Sequence, residues 1–268
     1  MFVAPMSGDG AFNMALDGHL LRLAAEGRTG FAFRVYSWSR ACVSFGRMQK
    51  PPAEADLAAL AAAGVDTVRR PTGGRAVWHE GEITYCVVAG AAHSLSRVPI
   101  SESLSITASV IVNALRSNGV AATTCPADRP GPGHSLRGNP CFSSHGRSEI
   151  VVDGRKLVGS AQARSGGAFL EHGSILLRND QLKLLGFLRT PSGERMAMEG
   201  LLARGACCLD DLAPGLDAGK LESDLMAGFE ALGGCPSGEF AIDGPLAEGL
   251  ARSVAAKREE ASAWMAGS

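Results

Sequence analysis

The sequence has no uncharged apolar run that approaches the roughly 18 residues of a membrane-spanning helix. Arg, Asp, Glu or Gly interrupts every stretch rich in Ala, Leu and Val. The first ten residues also lack the basic and then apolar pattern of a secretory signal peptide. These absences exclude an integral membrane protein and favour a cytoplasmic location.

Cysteine pairs with the spacing of metal ligands are missing as well. The 268 residues contain seven cysteines, an odd number without the spacing of a disulfide scaffold, which fits a reducing compartment. The nearest approach to a metal-ligand set is Cys125, His134, Cys141 and His145, but separations of 9, 7 and 4 residues match no paired zinc-ligand pattern. We therefore expect no metal site.

Neither sign of charge dominates the chain. Its 26 basic and 27 acidic side chains leave a formal net charge of −1. Residues 209–268 carry 11 acidic and 4 basic side chains, so residues 1–208 carry 16 acidic and 22 basic ones. This basic excess is too dilute over 208 residues to indicate nucleic-acid binding, although it can attract an acidic protein partner.

Apolar patterns predict a mixture of helices and strands without regular βαβ order. The predicted helices are Asn13–Glu26, Glu54–Ala63, Ser101–Asn118, Asp180–Leu188, Leu221–Leu232 and Leu246–Met265. The predicted strands are Phe31–Tyr36, Cys42–Phe45, Val65–Arg69, Ile83–Val88 and Ala168–Leu177. With 46% hydrophobic residues, a chain of this length can bury a large core.

A long loop followed by a tight hairpin is predicted in the middle of the chain. Residues 125–147 are too rich in Pro and Gly for a long helix or a central strand. Asp153-Gly154 between two apolar runs is a strong hairpin signal. Cys141 precedes this hairpin and Lys156 follows its turn, so a loop that folds back brings thiol and ammonium together.

A nearby cation lowers the pKa of a thiol and makes it a nucleophile. Cys141 and Lys156 are therefore a candidate catalytic pair, and the alternative is an inert loop cysteine with a surface lysine. Cys42 and Cys86 lie in apolar runs and are interpreted as small core residues. No order of Ser, His and Asp singles out a hydrolase-type triad.

A second candidate site is the glycine-containing block from Arg69 to His79. Paired glycines let a backbone approach a ligand closely, and arginines offer forked donors for a carboxylate or phosphate. The block is neither a Walker A loop nor a dinucleotide fingerprint, since the required endings are missing. A tight turn with solvated arginines is the alternative. His79 and His172 are interpreted as hydrogen-bonded structural or pocket residues.

Six blocks, taken in order, resemble the biotin/lipoate protein ligase and acyltransferase family. They are Asn13 to Asp17, Val43 to Gln49, Arg69 to His79, Glu82 to Tyr85, Gly154 to Gln162 and Glu171 to Leu177. The resemblance implies an α+β fold with a central, largely antiparallel sheet flanked by helices, similar to the catalytic core of biotin protein ligases and class II aminoacyl-tRNA synthetases. It implies one catalytic domain over residues 1–268, with a core of 1–180 and a helical segment of 181–268.

Within this family the block Asn139-Pro140-Cys141-Phe142 resembles that of cysteine-dependent octanoyltransferases of the octanoyl-[glycine cleavage H protein] type. The resemblance implies an acyltransferase that moves an octanoyl chain from acyl carrier protein to a lysine of a lipoyl domain. That domain belongs to the glycine cleavage H protein or a 2-oxoacid dehydrogenase E2 subunit. The resemblance implies that the octanoyl chain forms a thioester with Cys141 before transfer. It also implies that Lys156 lowers the pKa of this thiol and that no cofactor is needed.

The resemblance also implies a set of substrate-binding residues in two parts of the chain. They are Arg70, Thr72, Gly73, Gly74, Arg75 and His79 in the first part, and Gly159, Ser160, Gln162, His172 and Gly173 in the second. The chain departs from the family pattern at Glu80, where Asp is expected, and in the Pro- and Gly-rich loop before Cys141.

Three other functions are compatible with the same sequence blocks. One is an ATP-dependent lipoate–protein ligase, which shares Lys156 but has no need for the thiol. Another is an amidotransferase that moves octanoyl between lipoyl domains with the same kind of cysteine. The third is an inactive module that binds an acyl chain or its carrier, against which the presence of both Cys141 and Lys156 argues.

Overall fold

The computed structural model describes residues 1–125, 142, 149–234 and 238–266. Its strands are β1 Phe2–Gly8, β2 Phe31–Trp38, β3 Cys42–Phe45, β4 Asp66–Arg69, β5 Val77–His79, β6 Glu82–Ala89, β7 Thr123–Thr124, β8 Ile150–Val152, β9 Arg155–Ser165 and β10 Ala168–Leu176. Its helices are α1 Gly10–Ala25, α2 Pro51–Glu54, α3 Leu57–Ala62, α4 Ser94–Arg97, α5 Ile100–Ser117, α6 Gln181–Leu184, α7 Ser192–Gly205, α8 Leu209–Leu212, α9 Ala218–Gly233 and α10 Gly244–Ala266.

The central sheet has seven strands in the order β1-β2-β6-β10-β9-β8-β7. Strands β1 and β2 are parallel, and every other neighbouring pair is antiparallel. A smaller sheet has the order β4-β3-β5. The expected α+β fold with a largely antiparallel central sheet is confirmed.

Helices cover both faces of the central sheet, which is why β6 is buried along its whole length. Ile83, Tyr85 and Val87 pack on one face in a cluster that includes residues of α5 and α9. Cys86 and Val88 point to the opposite face and pack in a cluster with α1. Helix α10 packs on α1. No helix among the described residues is long and apolar enough to cross a membrane.

The smaller sheet directs a polar side chain towards the central sheet. In β3, Val43 and Phe45 pack outward in a cluster with α3, whereas Cys42 packs against α1. Because strand side chains alternate between faces, Ser44 shares the face of Cys42. Ser44 is thereby buried between the two sheets.

The predicted hairpin is confirmed at β8 and β9. Asp153 and Gly154 both have positive φ angles, 50° and 73°, as a two-residue turn with the favoured twist requires. Lys156 stands opposite Val151 just after this turn. Most residues of the predicted long loop, including Cys141, His134 and His145, lie outside the described residues.

Several other elements differ from the sequence-based predictions. The helix predicted over 54–63 is two short helices, because Ala55 is extended and the Asp56 side chain caps α3 by accepting from the Ala59 N–H. The helix predicted over 180–188 is limited to α6. Strands β1 and β5 and helix α7 had no sequence-based prediction.

A buried ion pair fastens α1 to the central sheet. Arg34 on β2 donates to Asp17 on α1 through Nε at 2.9 Å and Nη2 at 2.7 Å, and both side chains are fully buried. The hydroxyl of Tyr36 also donates to Asp17 at 3.1 Å. Burial alone would raise the pKa of Asp17, but Arg34 and the hydrogen bond from His172 lower it to about 2.

We predict that Asp17→Asn destabilises the protein by about 3–5 kcal/mol, because it leaves the Arg34 guanidinium buried without a counter-charge. Urea unfolding followed by circular dichroism measures the loss. Asp66→Asn is the matched control, since it breaks the exposed pair with Arg40 and should cost less than about 1 kcal/mol. Equal effects of the two substitutions would contradict the prediction.

Candidate active site

A narrow cavity lies where the central sheet meets the smaller sheet. Its volume of about 40 Å³ has room for a few water molecules. Its apolar and aromatic walls come from Met14, Tyr36, Trp38, Val77, Phe142 and Ala161. Its polar walls come from Ser44, Arg70, His79, Thr84, Ser160, His172 and Ser174, together with the backbone of Gly159 and Gly173.

Ser44, His79 and Glu82 form a hydrogen-bonded row beside the cavity. Ser44 Oγ lies 2.6 Å from His79 Nε2, and His79 Nδ1 lies 2.7 Å from Glu82 Oε1. The three residues are buried and come from β3, β5 and β6. Hydroxyl, imidazole and carboxylate in this order form an arrangement that moves protons. The sequence singled out no such order, because 35 residues separate the serine from the histidine.

Thr72, His172 and Asp17 form a second row of the same kind. Thr72 Oγ1 lies 2.7 Å from His172 Nε2, and His172 Nδ1 lies 2.8 Å from Asp17 Oδ2. Burial lowers the pKa of His172, although the hydrogen bond and charge of Asp17 act in the opposite direction. Neutral His172 then donates to Asp17 and accepts from Thr72, which fixes its ring in the cavity wall.

Arg70 braces the glycine loop from inside. Its guanidinium donates to the carbonyl oxygens of Gly73, Arg75 and Ser44 over distances of 2.6–3.1 Å, and it also lines the cavity. The guanidinium N–H groups that the sequence predicted to bind a ligand therefore also donate to the loop backbone. The alternative of a solvated arginine does not hold for Arg70, which is 5% exposed.

Close backbone contact fixes the position of this loop. A Cβ atom at Gly46 would stand 2.1 Å from the carbonyl oxygen of Gly74, so only glycine fits there. Gly74 itself has a φ of +91°, which also favours glycine. The loop after β3 and the glycine loop thus pack directly on each other.

Lys156 lies behind the cavity wall and has no exposed surface. Its Nζ donates to Glu149 Oε1 at 2.5 Å and stands 4.9 Å from the centre of the Phe142 ring. A Cβ at Gly159 would lie 3.1 Å from both Lys156 Cε and the Phe142 ring. Because Phe142 and Gly159 line the cavity, the ammonium group is close to its interior. The surface-lysine alternative is wrong.

A buried carboxyl group lies on the opposite face of the sheet from His172. Tyr85 Oη is 2.6 Å from Ser160 Oγ and donates to Glu171 Oε1 at 3.2 Å, while Gln162 Nε2 donates to Glu171 Oε2 at 3.3 Å. Burial raises the pKa of Glu171 to about 8, so this carboxyl group is largely protonated at neutral pH. Tyr85 thereby links a protonated acid to the hydroxyl of Ser160, on the same face of the sheet.

The structure brings most of the expected site residues together. Arg70, His79, Gly159, Ser160, His172 and Gly173 line the cavity. Thr72 lies behind His172, and Gly73, Gly74 and Arg75 form the loop that Arg70 braces. Within the described part of the chain, Gln162 stands apart from the cavity wall and contacts Ser103 of α5. Cys141 lies outside the described residues.

The polar partners Asp17, Ser44, Glu82, Tyr85 and Glu171 had no assigned role in the sequence-based site. All five lie in the six sequence blocks that carry the family resemblance, and these blocks were the only sequence signal that could have indicated them. Their pairing depends on contacts between distant strands. Cys42 and Cys86 are fully buried, and burial raises the pKa of both thiols well above the ordinary range. Their interpretation as core residues is confirmed.

A family model described as the lipoyl protein ligase A/B catalytic domain matches residues 9–230, the segment that builds the cavity. The chain belongs to this family. Two octanoyltransferases named LipM, from Kyrpidia tusciae and Moorella thermoacetica, are each 38% identical to it. The first alignment covers 84% of both chains, and the second covers 82% of this chain and 81% of its relative.

The fold is that of lipoyl protein ligases. A solved structure of lipoate-protein ligase A bound with ATP matches with a TM-score of 0.73 at 23% identity, covering 96% of this chain and 94% of that chain. At this identity the likeness establishes the fold alone. Among the described residues, no three or more His, Cys, Asp or Glu side chains are grouped to hold a metal ion.

We predict that Glu171 makes stability depend on pH. The pKa of Glu171 in the folded state, about 8, exceeds the ordinary value of a glutamate, so the folded protein retains a proton on this carboxyl group. The resulting contribution to the free energy of unfolding is present at low pH and is lost as the pH rises towards 8. Glu171→Gln mimics the protonated acid and removes the dependence. The free energy of unfolding of wild type relative to Glu171→Gln should fall by up to about 1.4 kcal/mol per pH unit between roughly pH 5 and 8.

Urea unfolding at several pH values measures this slope. Glu199→Gln, at an exposed position, is the control and should leave the pH dependence of wild type unchanged. Parallel curves for wild type and Glu171→Gln would show that Glu171 is ionised at neutral pH.

Proposed function

We propose that this protein is an octanoyltransferase that moves an octanoyl chain from acyl carrier protein to a lysine of a lipoyl domain through a thioester on Cys141. The observation that most supports this proposal is the buried Lys156 ammonium group, which lies behind the wall of a narrow cavity and beside Phe142. Phe142 follows Cys141 directly in the chain. Octanoyltransferase relatives that align over more than four fifths of the chain support the acyl group and the reaction.

The reaction has two steps. The Cys141 thiolate attacks the thioester carbonyl of the donor, and the phosphopantetheine thiol leaves. The lysine amine of the lipoyl domain then attacks the acyl-enzyme, an amide forms and the Cys141 thiolate leaves. Conversion of a thioester into an amide drives the second step, so the chemistry requires neither ATP nor a metal ion.

Lys156 supplies the electrostatic part of this mechanism. Its positive charge favours the Cys141 thiolate and the oxyanion that develops on the attacked carbonyl. Glu149 faces the ammonium at 2.5 Å and moderates its field, so the effect on the thiol is the difference between two opposite charges. Burial of both groups keeps water from screening that difference.

The cavity selects the acyl chain by shape and apolar contact. Its aromatic and aliphatic side chains offer apolar contact to the acyl chain, and each methylene that becomes buried contributes about 0.8 kcal/mol. The acceptor is a lipoyl domain of a glycine cleavage H protein or a 2-oxoacid dehydrogenase, and the reaction takes place in the cytoplasm. Cys42, Cys86, Cys207 and Cys208 are free thiols, which supports a reducing compartment.

We predict that transfer from octanoyl-acyl carrier protein to a lipoyl domain proceeds at an unchanged rate when ATP and magnesium are withheld, because a thioester is already activated. Mass spectrometry of the lipoyl domain measures the rate. The matched arms supply free octanoate with ATP, or an octanoylated lipoyl domain as donor. Transfer only from free acid with ATP would establish a ligase, transfer only from the lipoyl domain an amidotransferase, and no transfer from any donor an inactive binding module.

We also predict that Lys156→Met raises the pH midpoint of Cys141 alkylation by iodoacetamide by about one unit or more, because the thiolate loses its cation. Each unit corresponds to about 1.4 kcal/mol. Glu149→Gln should move the midpoint downward, since it removes the opposing charge. Peptide mapping of the alkylated protein measures both.

Arg155→Met is the matched control, one residue away on β9 and only half-buried. It should leave the midpoint nearly unchanged. An unchanged midpoint in Lys156→Met, with the circular dichroism of the native fold, would mean that the ammonium does not act on this thiol.

A further inference from the structure

The proposed second step releases a proton that the mechanism so far leaves without an acceptor. A lysine ammonium loses one proton before it attacks and a second once the C–N bond has formed. The departing Cys141 thiolate takes one of them. A base at the cavity must therefore take the other.

The basic side chains in or behind the described part of the cavity wall include Lys156, Arg70, His172 and His79. Lys156 is paired with Glu149, and a guanidinium such as that of Arg70 stays protonated. Imidazole takes up and releases protons near neutral pH, which leaves the two histidines.

Both histidines line the cavity, but they differ in their hydrogen-bond partners. His172 Nε2 faces Thr72, which stands outside the described cavity wall, and its partner Asp17 is already neutralised by Arg34. His79 Nε2 faces Ser44, whose side chain lines the cavity. A hydroxyl of the cavity wall therefore connects His79, but not His172, to the cavity.

The direction of each hydrogen bond in the His79 row follows from its chemistry. A guanidinium only donates, and Arg70 Nη1 lies 3.0 Å from Ser44 Oγ. Ser44 therefore accepts from Arg70, and because the Glu82 carboxylate only accepts, a neutral His79 ring has its proton on Nδ1 and accepts from Ser44 at Nε2. His79 then carries its ring proton on Nδ1 and donates it to Glu82 Oε1 at 2.7 Å. The imidazole nitrogen closest to the cavity is thus ready to accept a proton.

Glu82 is placed to stabilise the imidazolium that results. Its Oε1 also accepts from Trp38, Thr84 and Ser174, whereas its Oε2 is buried and has no hydrogen-bond partner among the described residues. The Trp38 ring stacks on His79 at 4.0 Å and holds the imidazole plane. A buried carboxylate with one unpartnered oxygen gains most when a positive charge forms beside it.

We propose that Ser44, His79 and Glu82 form a proton relay for the aminolysis step, an inference that rests on the proposed octanoyl transfer. The acceptor amine gives a proton to Ser44 Oγ as the Ser44 proton passes to His79 Nε2, and Glu82 stabilises the imidazolium. Among the described residues, the charged and titratable groups around His79 include Glu82 on β6, to which it is bonded, Arg70 after β4, which donates to Ser44, and His172 on β10. Glu82 favours the imidazolium, whereas Arg70 and a protonated His172 oppose it.

The test separates the two steps. Enzyme acylated by octanoyl-acyl carrier protein is isolated and mixed with a lipoyl domain, and rapid-quench mass spectrometry follows both acylation and transfer. In His79→Gln we expect acylation within about twofold of wild type and lysine transfer slowed about 100-fold or more at pH 7. Glu82→Gln should slow transfer less, because it keeps the side-chain shape but removes the charge.

Two readouts distinguish a relay from a structural role. The transfer deficit of His79→Gln should shrink as pH rises, because bulk base then deprotonates the lysine. Hydroxylamine is uncharged at pH 7 and should remove octanoyl from His79→Gln as fast as from wild type. Ser44→Ala removes only the bridging hydroxyl and should reproduce this pattern. His19→Gln, on α1 away from the cavity, is the control and should behave as wild type.

Equal slowing of acylation, hydroxylamine capture and lysine transfer at every pH in both His79→Gln and Ser44→Ala would overturn the relay. So would lysine transfer at the wild-type rate in either folded variant. Wild-type enzyme that forms no acyl-enzyme would instead overturn the proposed function and the relay with it.

Discussion

The carboxylate of Asp17 is the contact on which the rest of this structure depends. It joins α1 to β2 through Arg34 and Tyr36, and to β10 through His172. A buried carboxylate is unfavourable unless several donors surround it, so these elements have to meet in one arrangement. That arrangement fixes the His172 wall of the cavity, and Thr72 connects the same row to the glycine loop.

The two histidine rows share their chemistry but differ in their surroundings. The row of Thr72, His172 and Asp17 ends on a cation, Arg34, and its charges are balanced within the protein. The row of Ser44, His79 and Glu82 begins at the cavity and ends on a carboxylate oxygen that has no hydrogen-bond partner among the described residues. A directly paired carboxylate suits a structural role, whereas a carboxylate oxygen that lacks such a partner suits a site where positive charge forms during a reaction.

Local signals in the sequence predicted the elements that depend on local chemistry. The Asp153-Gly154 turn and the bounds of β3 were predicted well, because turn geometry and short apolar runs are properties of neighbouring residues. Strand β1 had no prediction because it contains Pro5, which an edge strand tolerates. The pairing of Ser44 with His79 could not be predicted, since it depends on the antiparallel register of β3 and β5. Family resemblance supplied Lys156 and the cavity histidines, which spacing alone left open.

In the proposed reaction the octanoyl chain is bound to Cys141 before it reaches the lipoyl lysine. Intact mass spectrometry of wild-type protein incubated with octanoyl-acyl carrier protein, without nucleotide or lipoyl domain, measures this step. We expect a gain of one octanoyl group, labile to hydroxylamine, on the peptide that contains Cys141. No adduct, or an adduct on Cys42, Cys86 or Cys125, would contradict it.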